Sequence, residues 1–280
     1  MTSVTVPVAD AAAAVTHPRR WSLPRPVVAG VGPGISVLYL SLLVGLPVAA
    51  VISQSADHSF WSVVTAPHTR SVLEFTVAVA LAAAVIDAVT GVALAWVLVR
   101  DGFPGKRVVN ALIDLPFALP TIVAGLVLLS LYGPNSPVGV NVAGTRLAVL
   151  FALLFVTLPF VTRAVQPVLL TLERDVEEAA ACLGAKPWTI FRRIILPAIM
   201  PATITGASLA FARALGEFGS VVLISGNLPR TEIASQVIFQ DVENGAPQAA
   251  AAIGVVLLAM ALLVFLVLAA LTHRNAARHG

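Results

Sequence analysis

The residues able to do chemistry in this chain are few, and most stand where water is scarce. Arg213 and Glu217 are four apart, so on a helix they share one face. Both fall in an apolar stretch, where a charge at mid-bilayer costs about 2.5–3.5 kcal/mol on insertion scales. Such a pair either fixes packing as a self-neutralised ion pair or borders a polar path. Glu217 cancels the pull that Arg213 alone would exert on an anion, so Arg213 is no tight anion site. Asp87 is the single charge of another apolar stretch; its candidate partners are Arg213, Arg163 and the hydroxyl of Thr90. These residues form no acid–base or metal constellation of the kind a membrane enzyme needs. Cys182 is the only cysteine, which excludes an intrachain disulfide, and no Cys/His spacing suits a metal. A phosphate-cradling loop needs a glycine, four residues, then Gly-Lys-Ser/Thr. Of the two lysines, Lys106 has Arg100 at the first glycine position, and Lys186 follows Ala185. The chain is expected to hydrolyse no ATP and to bind no cofactor of its own.

The elements that must position these residues are membrane spans. The chain has 280 residues, 58% hydrophobic and 11% charged, whereas soluble domains carry about 25% charged residues. Mean hydropathy is +0.94. A helical span needs about 20 mostly apolar residues, and six candidates follow: Val27–Ile52, Phe75–Val99, Leu115–Tyr132, Leu147–Val161, Pro197–Ile224 and Ala249–Leu271. The fourth has room to continue past Arg163. Pro116, Pro120 and Pro159 interrupt or loosen spans, which membranes tolerate where neighbours satisfy the backbone. The uncharged run Ile35–Ile52 is longer than the apolar region of a signal peptide, about 7–15 residues, so the first span is expected to be retained. The architecture is therefore an all-α integral membrane domain over 27–272, with a flexible tail at 1–26 and a short tail at 273–280.

The net charge of +3 does not point to nucleic acid, because the basic residues sit at the ends of apolar segments. Thirteen of them lie in the two tails and the loops after the second and fourth spans. Only Arg70, Arg146 and Arg230 lie on the other side. This asymmetry places both termini in the cytoplasm.

The loop after the fourth span, about 172–194, carries the strongest pattern. Glu173, Asp175, Glu177 and Glu178 favour a helix N-terminal half. Val176, Ala179, Ala180 and Leu183 fall at i, i+3, i+4 and i+7, one apolar face. Gly184 stands where a helix ends in a left-handed residue, and Pro187 suits the first turn of a second helix. The pattern predicts two short helices joined by a tight bend.

Glu178-Ala179-Ala180, three residues, Gly184, nine residues, Ile194, one residue, Leu196-Pro197 resembles the EAA motif of ABC importer permeases of type I. In that family the loop is a coupling helix that docks on a cytoplasmic ATPase, and the resemblance implies the same role here. The strings Asp114–Thr121, Leu158–Arg163 with Val165–Leu169, and Ala212-Arg213-Ala214-Leu215-Gly216-Glu217-Phe218-Gly219 resemble the sulfate/thiosulfate and molybdate branch. Ile224–Asn227 with Thr231–Ala234 and Ile238-Phe239 is most similar to its T-type sulfate/thiosulfate subunit. The resemblance implies a sulfate or thiosulfate importer, with molybdate or another oxyanion as the alternative. It also implies partners: a second, W-type permease, an ATPase dimer that holds ATP and magnesium, and an extracytoplasmic sulfate-binding protein. An ion-coupled transporter would need a repeat or conducting residues and leaves the loop unexplained.

Overall fold

The computed structural model describes residues 28–56 and 59–276. The expected tail over 1–26, and residues 277–280 of the second tail, lie outside it. The chain divides into two compact units, Met1–Ala49 and Ala50–Gly280. In the first, α1 (Val28–Leu40) runs into a π-helical turn, Ser41–Gly45, followed by α2 (Leu46–Ser55), which continues into the second unit. The second residue of α2 is Pro47. The same arrangement recurs at the π turn Phe191–Ile195, which precedes Pro197. A proline ring lacks an N–H and collides with the carbonyl four residues back. The wider π turn takes up that misfit.

Every regular element among the described residues of the second unit is a helix. After α3 (Phe60–Val64) come α4 (Pro67–Arg100), α5 (Lys106–Ala118), α6 (Thr121–Tyr132) and α7 (Arg146–Thr171). Then follow α8 (Arg174–Cys182), α9 (Pro187–Ile190), α10 (Leu196–Leu215), α11 (Gly219–Ile224), α12 (Ala234–Glu243) and α13 (Pro247–Ala276). Helices α4, α7 and α10 pack on one another. Small residues of α4 and α7 such as Ala80, Ala83, Ala148 and Ala152 are fully buried, with Val149 and Leu153. A second cluster, with Ala95, Val161, Val165, Leu169, Ile195 and Ile199, fills the half nearer the α7–α8 loop. The outward stripe of α4, Leu81, Val85 and Val89, is 55%, 57% and 69% exposed. These residues recur every four positions on an apolar face turned away from the core, as a bilayer allows.

Among the described residues, five helices are long and apolar enough to cross a membrane, within Gly34–Ser55, Pro67–Arg100, Arg146–Thr171, Pro187–Leu215 and Pro247–Val267. The third expected span is different. It is the pair α5 and α6, bent by 118°, and it makes a sixth crossing only if the two together are one broken span. Pro120 causes the break: the residue before a proline is driven out of the helical region, and Leu119 is extended at φ −85°, ψ 135°. The fifth expected span, Pro197–Ile224, is also corrected. Its helix starts earlier, at Pro187, and stops at Leu215; the chain resumes as α11 after Gly216–Phe218. At 1.5 Å per residue, α6 is about 18 Å long and α11 about 9 Å. Neither spans a hydrocarbon core of about 30 Å alone.

The two half-helices lie side by side, with their breaks together. A Cβ on Gly219 would stand 2.2 Å from Thr121 Oγ1 and 2.9 Å from the Ile122 nitrogen, and one on Gly125 would stand 2.6 Å from the Ser220 carbonyl oxygen. Backbone thus rests on backbone, which shields the irregular segments. Gly125→Val and Gly219→Val are each expected to lose about 1–3 kcal/mol through overpacking, seen as a lower melting temperature in detergent. Gly254, with open space around its Cα, should accept alanine within about 0.5 kcal/mol.

Candidate functional site

The α7–α8–α9 segment has the expected form. Helix α8 carries Asp175 and Glu177 in its first turn, where their charge offsets the positive end of the helix dipole. It ends in a Schellman motif: the Ala185 N–H donates to the Ala180 carbonyl at 3.0 Å and the Gly184 N–H to Ala181 at 2.9 Å. Gly184 has φ +83°, a conformation in which a Cβ costs about 1–2 kcal/mol. Pro187 opens the next helix, as expected. That helix is not a separate short element. It continues through the π turn into α10, so Ile194, Leu196 and Pro197 belong to the long helix that leads to Arg213.

The apolar face expected on α8 divides. Ala180 packs against the second core cluster with Ala185 and Phe191. Val176 is 48% exposed, Leu183 89% and Trp188 67%, and Glu178 and Ala179 are exposed as well. One side of α8 is therefore fastened to the spans. The other presents small and apolar groups to solvent.

The intramembrane pair forms as expected. Arg213 Nη1 is 2.6 Å from Glu217 Oε2; Glu217 is fully buried and the Arg213 side chain 34% exposed. Glu217 stands in the break between α10 and α11 and has a second task that its sequence position did not reveal. Its Oε1 accepts the Ser220 N–H at 2.9 Å, which caps α11, while its carbonyl accepts the Ser235 hydroxyl at 2.5 Å. One residue thus neutralises a cation, caps a half-helix and ties down the first turn of α12.

None of the three candidate partners meets Asp87. Its Oδ2 accepts from the Thr157 hydroxyl at 2.5 Å, and Thr90 bonds to its own helix at the Ile86 carbonyl. Arg163 instead forks onto Asp114, at 2.7 and 2.5 Å, and reaches Asn110 and Gln166. That network clamps α5 to α7. A second ion pair joins Arg100, at the end of α4, to Glu177 on α8. At the opposite end of α4, Arg146 lies 4.9 Å from the Phe75 ring centroid and donates to the Arg230 carbonyl at 3.1 Å. Arg100 thus lies at one end of α4, and Arg146 with Arg230 lies towards the other.

Glu217→Gln retains an acceptor for the Ser220 N–H but leaves Arg213 without its counter-charge. We expect a loss of about 1–3 kcal/mol, the scale of a buried polar group deprived of its partner, read as a lower melting temperature in detergent. Arg213→Gln with Glu217→Gln should recover most of it; a double variant no better than the single would show that the pairing is not what Glu217 supplies.

Comparison with known proteins places this arrangement. Residues 87–276 match the family of binding-protein-dependent transport system inner membrane components. A probable sulfate transport system permease protein, cysT, of Nephroselmis olivacea is 45% identical over 243 residues, 83% of this chain and 86% of that one. The sulfate transport system permease protein CysT of a Synechocystis strain is 44% identical over 245 residues, 84% of this chain and 86% of that one. A chain of the bacterial alginate ABC transporter, solved with an alginate pentasaccharide-bound periplasmic protein, superposes with a TM-score of 0.72 at 13% identity. The match covers 87% of this chain and 93% of that one; at that identity the likeness is one of fold. Matched over most of its length by both a family model and curated relatives, the chain belongs to the inner membrane permease components of binding-protein-dependent ABC transport systems, among the CysT-type permeases.

Proposed function

We propose that this chain is the T-type permease subunit of a sulfate importer, open also to thiosulfate, and that its α8–α9 bend is the dock for a separate ATPase. The substrate reading is supported by relatives that are sulfate permeases at 45% identity over 83% of the chain. The dock reading is carried by the exposed side of α8, where Val176, Ala179 and Leu183 share one face beside the fixed bend at Gly184. A small-residue helix held rigidly at its C-terminus is a knob that a partner can push. The charge asymmetry puts this bend, and both termini, in the cytoplasm. ATP and magnesium belong to the ATPase pair, and a W-type permease completes the path. A sulfate-binding protein delivers the anion from outside. Closure of the ATPase pair on ATP would move α8, and through it the spans, to open the path outward; hydrolysis would reset it. The Arg213–Glu217 pair, with Asp87 on the neighbouring helix, is our candidate for the charged element bordering that path.

Two experiments check this reading. Cells lacking the gene and any other sulfate system should lose uptake of labelled sulfate; in cells with the gene, thiosulfate should compete and molybdate should compete little. Unchanged uptake on deletion would remove the sulfate assignment. Leu183→Asp places a charge in the middle of the proposed dock without touching the core. The variant should still insert but no longer copurify with its ATPase, and full copurification would remove the dock from α8.

A further inference from the structure

The exposed side of α8 says where force would enter; its other side says where force would leave. Among the described residues, the one side-chain ion pair linking α8 to a span is Arg100 with Glu177. Arg100 is the last residue of α4, and its side chain is 9% exposed, with Glu177 at 20%. The guanidinium also lies 5.7 Å from the Trp96 ring centroid, one turn back on α4. Trp96 meets Phe191 edge-on at 5.9 Å, and Phe191 stacks with Trp188 at 5.6 Å. Phe191 opens the π turn that leads into α10. The α7–α8 connection and the Gly184 bend hold α8 by its ends, while Arg100 holds it at its middle.

We propose that the Arg100–Glu177 pair is the strut through which displacement of α8 reaches α4, and that Arg100 is a positioning residue for coupling rather than a contact of the ATPase or of the anion. This rests on the reading of α8 as the dock. An ion pair suits the task. Its partners are nearly withdrawn from water, and separating them would leave a buried guanidinium uncompensated, which is costly. So α8 and α4 move together rather than part. Without the strut, α8 can tilt about the Gly184 bend while α4 stays in place, and ATP is then hydrolysed without moving the spans. The cation–π and aromatic contacts place Trp96 between the strut and the π turn, so α4 and the start of α10 receive the same displacement.

The test uses the complete transporter, with both permeases, ATPase and binding protein, reconstituted in lipid vesicles, and reads sulfate transported per ATP hydrolysed. Arg100→Glu and Glu177→Arg should each still copurify with the ATPase and hydrolyse ATP. Each should lower the transport ratio at least about fivefold, within the range that coupling residues remote from a ligand reach. The double reversal, which restores an ion pair with its signs exchanged, should regain more than half of the ratio. Singles that match the unaltered chain, or a double no better than either single in an intact complex, would overturn the proposal. If a reversal fails to accumulate, Arg100→Gln takes its place, and an unchanged ratio in that variant has the same meaning. The dock reading fails separately: Leu183→Asp would then keep its ATPase, whatever the strut variants do.

Discussion

Inside a bilayer no water completes a backbone hydrogen bond, and each unsatisfied group there costs several kcal/mol. Much in this fold follows from that constraint. The described spans are helices because a helix satisfies its own N–H and C=O groups. Among the described residues, two breaks that follow helices of the apolar bundle, Leu119–Pro120 and Gly216–Phe218, adjoin one another through the Gly125 and Gly219 contact. Each break shields the other. The Glu217 carboxylate then supplies the acceptor that the first N–H groups of α11 lack.

The same constraint sorts the charges. Arg213 with Glu217 and Arg163 with Asp114 are paired, and Arg100 meets Glu177 at a helix end. Asp87, wholly buried, has only a hydroxyl partner among the described residues. The contacts also divide by purpose. Arg163 fastens α5 to α7 through four donor–acceptor contacts with Asp114 and Asn110. Arg100 links the solvent-facing α8 to α4 through one. The clamped helix has little freedom, whereas the singly linked one keeps a direction in which to move.

Local patterns in the chain carry much of this. The apolar lengths locate the helices around α4, α7 and α13, and the run from Glu173 to Pro187 describes α8, its bend and the start of the next helix to within a residue. The i, i+4 spacing alone gives the Arg213–Glu217 pair. What no window along the chain carries is pairing across it. Arg163 and Asp114 are 49 positions apart, and Arg100 and Glu177 are 77. Periodicity is blind to both. The broken spans were half legible: Pro120 marks the first break, but a continuous apolar run conceals that α6 leans on α11. At the second break open space surrounds Gly216, and the close contact is made by Gly219. Pro197 looked like the end of a motif, and its structural effect is the π turn before it.

The placement of Arg213 and Glu217 on one stretch of chain bears on how the protein is made. A nascent helix enters the membrane before its neighbours are packed around it, so any charge it carries must be tolerated at that moment. Because the counter-charge to Arg213 follows one turn later, the segment can carry its arginine into lipid already neutralised, with no need to wait for another segment. Arg163 and Asp114 lack that independence, since they come from different helices. Their side chains stay 32% and 50% exposed, so each can keep water until both helices have been synthesised. Biogenesis thus sets a condition that the finished bundle does not: a charge whose partner is on the same stretch of chain enters the membrane neutralised, and one whose partner is on another helix must wait for it.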